Sequence, residues 1–110
     1  MRRVNKPWGY EEIWAQTNNY IGKFLHINPG HRLSFQYHKY KEETIYVLKG
    51  PAKIWTGDGT LVLIAEGKTW HNEPGQKHRF GAPDDNKVVL VEVSTPHLFD
   101  VIRLEDDYER

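Results

Sequence analysis

The stretch GHRLSFQYHKYKEE, residues 30–43, contains three side chains that can bind one metal ion, namely Gln36, His38 and Glu43. Residues i and i+2 of a β-strand project to the same face, so Gln36 and His38 can point at one spot. Glu43 follows a short polar turn and can come from the neighbouring antiparallel strand. His78, just after a Pro-Gly turn, can supply a fourth ligand from a more distant strand. This spacing predicts a single metal site inside a small β-barrel.

The predicted ligand set consists of two imidazoles, one carboxylate and one amide. Such nitrogen and oxygen ligands suit zinc, manganese, iron, cobalt or nickel, and we expect one divalent ion with zinc as the first choice. Because Gln36 is neutral, the site carries a single formal negative charge, which leaves the metal electrophilic. A metal that accepts five or six ligands then keeps open positions, as a catalytic centre requires. The alternative is that these polar side chains are scattered and unrelated.

The length and composition of the chain limit its function. A chain of 110 residues forms one domain, predicted to span residues 1–110. Lysine plus arginine and aspartate plus glutamate both number 15, so nothing resembles the basic stripe of a nucleic-acid-binding protein. The absence of cysteine excludes disulfides, thiolate zinc sites and cysteine nucleophiles. No signal peptide and no apolar run of about 20 residues is visible, so we expect a cytoplasmic protein without a membrane span.

Short β-rich segments separated by turn residues predict an all-β fold. Segments 33–38 and 44–48 are predicted to pair with each other, and Asp58-Gly59 predicts a hairpin between segments 52–55 and 61–64. Segment 87–94 is the longest and is expected to be a central, buried strand. Residues 98–107 are predicted to form a short helix or an extended tail. The other predicted strands cover residues 8–14, 20–27, 68–72 and 78–80.

Two glycine-framed motifs in the chain resemble those of the cupin superfamily. The first motif consists of Gly30, Gln36-Tyr37-His38, Glu43 and Gly50. The second consists of Gly67, Pro74-Gly75 and His78. Gln36 replaces the first histidine of the family pattern, and Glu73 replaces a proline. The resemblance implies a cupin barrel, which is a double-stranded β-helix or jelly roll, with one bound metal ion.

Within the cupins, nearly the whole chain is most similar to the type II mannose-6-phosphate isomerase domain, which is often fused to a guanylyltransferase. The similarity is carried by Lys6-Pro7-Trp8-Gly9-Tyr10, segment 32–38, Glu92-Val93 and segment 100–110, where Glu109 replaces a glycine. It implies interconversion of mannose 6-phosphate and fructose 6-phosphate, hence a sugar-phosphate ligand, and a homodimer. The sequence contains no glycine-rich nucleotide loop, so guanylyl transfer is not implied.

Aldose–ketose isomerisation moves a proton between adjacent sugar carbons, so it needs a general base besides the metal. Glu92 is the first candidate, because it lies in an apolar strand where partial burial would raise its pKa towards a useful value. Lys53 and His71 are further catalytic candidates, on strands expected to line the pocket. The alternative for Glu92 is a strand glutamate paired with a neighbouring lysine or arginine.

The phosphate group of such a substrate needs cationic donors at the mouth of the barrel. Arg103 and Arg110 match family positions and suit bidentate contacts with phosphate.

Two other classes of function stay open: a non-catalytic cupin that binds metal and sugar, and another metal-dependent cupin enzyme, such as an epimerase or an iron dioxygenase. Gln36 in place of a histidine disfavours the dioxygenase, since oxygen-activating sites tend to keep more imidazole.

Overall fold

Eleven β-strands make up the fold in the computed structural model, which describes residues 1–109, and this part of the chain contains no α-helix. The strands are β1 (Arg2–Lys6), β2 (Gly9–Gln16), β3 (Ile21–Ile27), β4 (Phe35–Tyr37), β5 (Glu43–Lys49), β6 (Ala52–Trp55), β7 (Leu61–Ile64), β8 (Thr69–Asn72), β9 (Arg79–Gly81), β10 (Val88–Ser94) and β11 (Ile102–Glu105). The all-β prediction is confirmed. Over the same residues, nothing helical is long and apolar enough to cross a membrane.

The strands form two layers. The large sheet has the order β1-β2-β3-β10-β5-β8, while β7-β6-β9 and β11-β4 form the other layer. Backbone bridges from Gln36 to His78 and from Arg32 to Gly81 join the region of β4 to that of β9. All pairs of neighbouring strands are antiparallel. This is the arrangement that the cupin motifs imply.

The predicted pairing of segments 33–38 and 44–48 is wrong. β4 pairs with β11 in one layer, whereas β5 lies between β10 and β8 in the other. Consecutive strands are often neighbours in a sheet, but a chain that builds a two-layer barrel must also cross between layers. β10 is a central strand between β3 and β5, as its length predicted. The hairpin at Asp58-Gly59, between β6 and β7, is also confirmed.

Both ends of the described chain form strands where the sequence predicted none. β11 replaces the predicted helix or tail and pairs with β4. β1, whose sequence RRVNK is mostly charged or polar, pairs with β2. Most side chains of β1 and β11 stay exposed, so neither segment shows a strong alternation of apolar and polar residues. The open edges of β2 and β4 therefore decide the structure there, more than local strand propensity does.

The inward side chains change from apolar to charged along the central strands of the large sheet. On β10, Leu90 is buried in the core, and Glu92 follows it on the same face. The registers place Lys23 of β3 beside Glu92, and Glu43 of β5 beside Ser94. The apolar core therefore fills one end of the barrel, and charged side chains collect at the other end.

Gly9 lets the β1–β2 hairpin lie close against the end of β3. Its φ of +151° lies in the region that favours glycine, and an added Cβ would lie 1.9 Å from the carbonyl oxygen of His26. Because β1 can then pair along β2, its alternate residues Arg2, Val4 and Lys6 line the cavity described below.

Candidate metal centre

Both layers of the barrel contribute to one cluster of metal-binding side chains. His78 lies just before β9 and is joined to Gln36 of β4 by backbone hydrogen bonds of 3.0 and 2.9 Å. His38 follows two residues after Gln36 and projects to the same side. Glu43 begins β5 in the large sheet and reaches the cluster from the facing layer. The structure therefore brings the four predicted ligands together, although Glu43 does not come from a strand paired with β4.

The ligand atoms of His38, Glu43 and His78 meet in the interior. Glu43 Oε1 lies 3.4 Å from His38 Nε2 and 3.0 Å from His78 Nε2. One ligand atom from each residue lies within 4.8 Å of the others, and all three residues are buried. Metal bonds of about 2.1 Å place neighbouring ligand atoms roughly 3 to 3.4 Å apart around one ion. The two distances from Glu43 Oε1 match that requirement.

The hydrogen bonds of the two imidazoles also fit a metal ion. His38 Nδ1–H donates to the backbone carbonyl of Asp100, and His78 Nδ1–H donates to that of Gln76 at 3.0 Å. A neutral imidazole bonded in this way carries its lone pair on Nε2, directed here at Glu43. His78 Nε2 is buried without a hydrogen-bond partner in the described part of the chain. Because lone pairs that face a carboxylate repel it unless a cation lies between them, this donor set fits a divalent ion.

Gln36 adjoins these three residues, but the nitrogen of its amide faces them. Its Nε2 lies 3.4 Å from His38 Nε2, and its Oε1 accepts a hydrogen bond of 2.6 Å from Ser34 Oγ. An amide NH₂ group has no lone pair to offer a metal. A half-turn of the amide would exchange the two atoms, and the Ser34 hydroxyl could then accept instead of donate. Gln36 as a ligand stays a prediction that requires this rotation.

A buried lysine connects Glu43 to the predicted base Glu92. Lys41 Nζ lies 3.0 Å from Glu92 Oε2 and 3.5 Å from Glu43 Oε2. Burial opposes ionisation of Glu43, but the Lys41 ammonium outweighs it and holds the pKa of Glu43 well below its usual range. For Glu92, burial outweighs the attraction of Lys41 and, with the nearby charge of Glu43, raises the pKa. Glu43 is therefore the stable anion, and Glu92 is the carboxyl group suited to exchange a proton.

The cluster borders a cavity of about 250 Å³. Glu92 lines this cavity, and so does Arg103 of β11, which lies opposite Gln36 in the strand register. Arg110, the second predicted phosphate-binding residue, lies outside the described residues. The apolar part of the wall includes Trp8, Leu25, Phe80, Leu98, Phe99 and Val101. Apolar walls with a few convergent polar groups are the usual composition of a small-molecule site.

The prediction that Lys53 and His71 line the pocket is wrong. On β6, Ala52 and Ile54 face the core, so alternation turns Lys53 outwards. His71 lies on the outer face of the large sheet, where its Nδ1 is 2.8 Å from Thr44 Oγ1 and its Nε2 is 2.9 Å from Glu42. The sequence alone does not show which face of either strand points inwards, because that face is set by the tertiary structure.

Two residues that support the site were not predicted from the sequence. Lys41 belongs to a charged run that resembles a surface loop, yet it is 5% exposed. The one feature of the sequence that points to Lys41 is its position two residues before Glu43.

The carboxylate of Asp100 accepts hydrogen bonds from the backbone N–H groups of residues 39, 40 and 41, at 3.2, 2.7 and 2.9 Å. These bonds outweigh the effect of burial and lower the pKa of Asp100. No local pattern connects residue 100 to this loop.

Replacing Asp100 with alanine is expected to weaken metal binding about 10- to 100-fold, the usual effect of losing a partner outside the ligand shell. The carboxylate fixes the loop between His38 and Glu43, so its loss lets these ligands move relative to each other. Calorimetric titration of metal-free protein with Zn²⁺ measures the affinity. Asp85→Ala, in an exposed turn, is the control. Equal zinc affinities in the two variants would contradict this role for Asp100.

The fold and this site define the chain as a cupin. A cupin-like protein from Thermotoga maritima msb8 superposes on it with a TM-score of 0.79, and the match covers 91% of this chain and 78% of that one at 19% identity. At this identity the similarity shows the fold alone. The predicted cupin barrel is confirmed.

The chain belongs to the family described as mannose-6-phosphate isomerase C-terminal, whose model matches residues 1–107. It is 31% identical to the mannose-1-phosphate guanylyltransferase of Escherichia coli (strain K12), over 99% of this chain and 23% of that protein. It is 30% identical to the xanthan biosynthesis protein XanB of Xanthomonas campestris pv. campestris (strain B100), over 99% of this chain and 24% of that protein. The chain thus spans about a quarter of the length of these curated relatives.

Proposed function

We propose that this chain is a metal-dependent aldose–ketose isomerase that interconverts mannose 6-phosphate and fructose 6-phosphate. The observation that carries the proposal is the convergence of His38, Glu43 and His78 beside a cavity that also contains Glu92. Membership of a family named after mannose-6-phosphate isomerase supports the choice of substrate. A sugar phosphate is also compatible with the positively charged guanidinium group that Arg103 contributes to the cavity wall.

Glu92 is the group proposed to carry the proton between the two carbons. As a carboxylate it takes the proton from C2 of open-chain mannose 6-phosphate and returns it to C1, while one proton passes from the C2 oxygen to the C1 oxygen. Burial supports this role, because a raised pKa makes the Glu92 carboxylate a stronger base. Lys41, 3.0 Å from Glu92, stabilises the carboxylate before it takes the proton from C2 and again after it has returned the proton to C1.

His38, Glu43 and His78 are the residues proposed to hold the metal ion, with zinc as the expected metal. A bound divalent ion supplies Lewis-acid stabilisation of the negative charge that develops on the sugar oxygens. The chain itself orients the two imidazoles through their Nδ1–H bonds to the carbonyls of Asp100 and Gln76. Apolar walls beside the site limit the access of water, which strengthens the electrostatic interactions there.

Incubation of zinc-loaded protein with mannose 6-phosphate tests the proposal. Fructose 6-phosphate, followed by NMR or by a coupled enzyme assay, is expected to form with zinc and not after chelation of the metal. The protein would instead be a non-catalytic binding module if it binds the sugar saturably but does not turn it over with any of zinc, manganese, cobalt, nickel or iron. Oxygen consumption that occurs only with iron would instead indicate a dioxygenase.

The proposal also includes association of two copies of the chain. Tyr46, Leu48 and Val93 lie on the outer face of the neighbouring strands β5 and β10, with exposures of 42%, 52% and 50%. Covering these side chains with a second copy would remove apolar surface from water. Light scattering of the purified protein is expected to give twice the mass of one chain, and the mass of a single chain would contradict the dimer.

A further inference from the structure

Strand β1 places basic side chains on two different faces. Arg2, Val4 and Lys6 line the cavity, as their spacing of two residues requires. Arg3 lies on the other face, where its guanidinium is 3.7 Å from the centre of the Tyr10 ring and donates to Asn5 Oδ1 at 3.1 Å. Adjacent arginines on one strand therefore have different surroundings, and only Arg2 faces the site.

The cations deeper in the cavity already have carboxylate partners. Lys23 Nζ lies 3.3 Å from Glu11 Oε1, and Lys41 is paired with Glu92 and Glu43 as described above. Among residues 1–109, the one side chain that forms a hydrogen bond with the Arg2 guanidinium is the neutral Gln16, at 3.4 Å. Within residues 1–109, no carboxylate forms an ion pair with Arg2 or with Arg103. These two guanidinium groups therefore give the cavity uncompensated positive charge.

The geometry points to Arg2 and Arg103 as a joint binding site for the phosphate group of the ligand. This inference rests on the proposed function. It makes Arg2 a residue that determines which sugars bind. Arg2 belongs to the large sheet and Arg103 to the facing layer, so they approach the same cavity from two sides. A phosphate monoester presents three acceptor oxygens and up to two negative charges, so it can bind both planar guanidinium groups at once. β1 thereby selects phosphorylated sugars over the free sugars.

The pair Arg2→Gln and Arg3→Gln tests this inference, because the two residues are adjacent and have the same charge. Arg2→Gln is expected to raise the KM for mannose 6-phosphate about tenfold, equivalent to about 1.4 kcal/mol, with little change in kcat. A contact to the phosphate, remote from the reacting carbons, contributes binding that is the same in the ground and transition states. Arg3→Gln is expected to behave like the wild type.

Calorimetric binding of mannose 6-phosphate and of mannose to the zinc-loaded proteins separates this inference from the proposed function. Arg2→Gln is expected to weaken binding of the phosphorylated sugar about tenfold and to leave binding of mannose unchanged. If the wild type binds mannose 6-phosphate without turnover and Arg2→Gln shows this loss, the isomerase fails and the phosphate site stands. Equal affinities in the Arg2 and Arg3 variants, equal losses for both sugars, or no wild-type binding of mannose 6-phosphate would overturn the inference.

Discussion

Replacing Glu43 with glutamine is expected to weaken metal binding strongly and to lower the proposed isomerase activity with it. Glu43 is the carboxylate of the group that it forms with His38 and His78, so the change removes the anionic ligand. The loss of zinc affinity should exceed the roughly 10- to 100-fold effect of losing an outer partner, because a ligand itself is lost. Turnover should fall by about a thousandfold, the upper end of the effect of removing one group that stabilises charge in the transition state. Zinc calorimetry and the rate of fructose 6-phosphate formation measure the two effects.

Glu42→Gln is the matched control for Glu43→Gln. The two glutamates are adjacent in sequence, but the Glu42 side chain is 50% exposed on the outer face and the Glu43 side chain is 2% exposed. Glu42→Gln is expected to bind zinc and turn over substrate like the wild type. Both variants should fold, since Lys41 keeps Glu92 as a partner at 3.0 Å. Wild-type zinc affinity in Glu43→Gln would falsify the assignment of this metal centre.

Replacing Glu92 with glutamine is expected to lower kcat about 10²- to 10⁴-fold while the protein still binds one metal ion. Glutamine keeps the shape of the side chain and its ability to form hydrogen bonds, but it cannot accept a proton from carbon. Proton transfer at C2 should therefore fail even where the sugar binds normally. NMR in deuterated water measures the exchange of the C2 hydrogen of mannose 6-phosphate, and this exchange should slow as much as turnover does.

Glu11→Gln distinguishes a catalytic Glu92 from one that merely balances a buried lysine. Glu11 also lines the cavity and is paired with Lys23 at 3.3 Å, much as Glu92 is paired with Lys41. If Glu92 acts as the base, Glu11→Gln should affect kcat far less than Glu92→Gln does. Similar losses of kcat in both variants, or normal exchange at C2 in Glu92→Gln, would instead assign Glu92 a role in balancing the charge of Lys41.

The spacing of residues along the chain predicted the candidate ligands better than it predicted how the strands are arranged. Gln36 and His38 share a face because two residues on a strand always do, whatever the partner strand is. The pairing of β4 with β11 depends on a segment more than 60 positions away in sequence, for which local patterns contain no signal. The prediction that Glu43 lies near His38 is therefore confirmed, but the prediction that it comes from a strand paired with β4 is wrong.

The supporting residues and the candidate catalytic residues are harder to predict for the same reason. Glu92 could be chosen because an acidic residue inside an apolar strand is a local anomaly. No feature of the sequence distinguishes Lys53 and His71 in this way. Neighbouring positions of a strand face opposite sides of the sheet, and both residues occupy positions that face outwards. Lys41 and Asp100 act through contacts that exist only after the chain has closed the barrel.

The dependence of turnover on the amount of metal per chain tests the link between this cluster and the proposed isomerisation. Metal-free protein is titrated with Zn²⁺, and fructose 6-phosphate formation from mannose 6-phosphate is measured at each addition. Activity is expected to be absent at the start, to rise in proportion to added zinc, and to level off at one ion per chain. Full activity without metal, or no activity after one equivalent of zinc has bound, would contradict a catalytic metal centre at His38, Glu43 and His78.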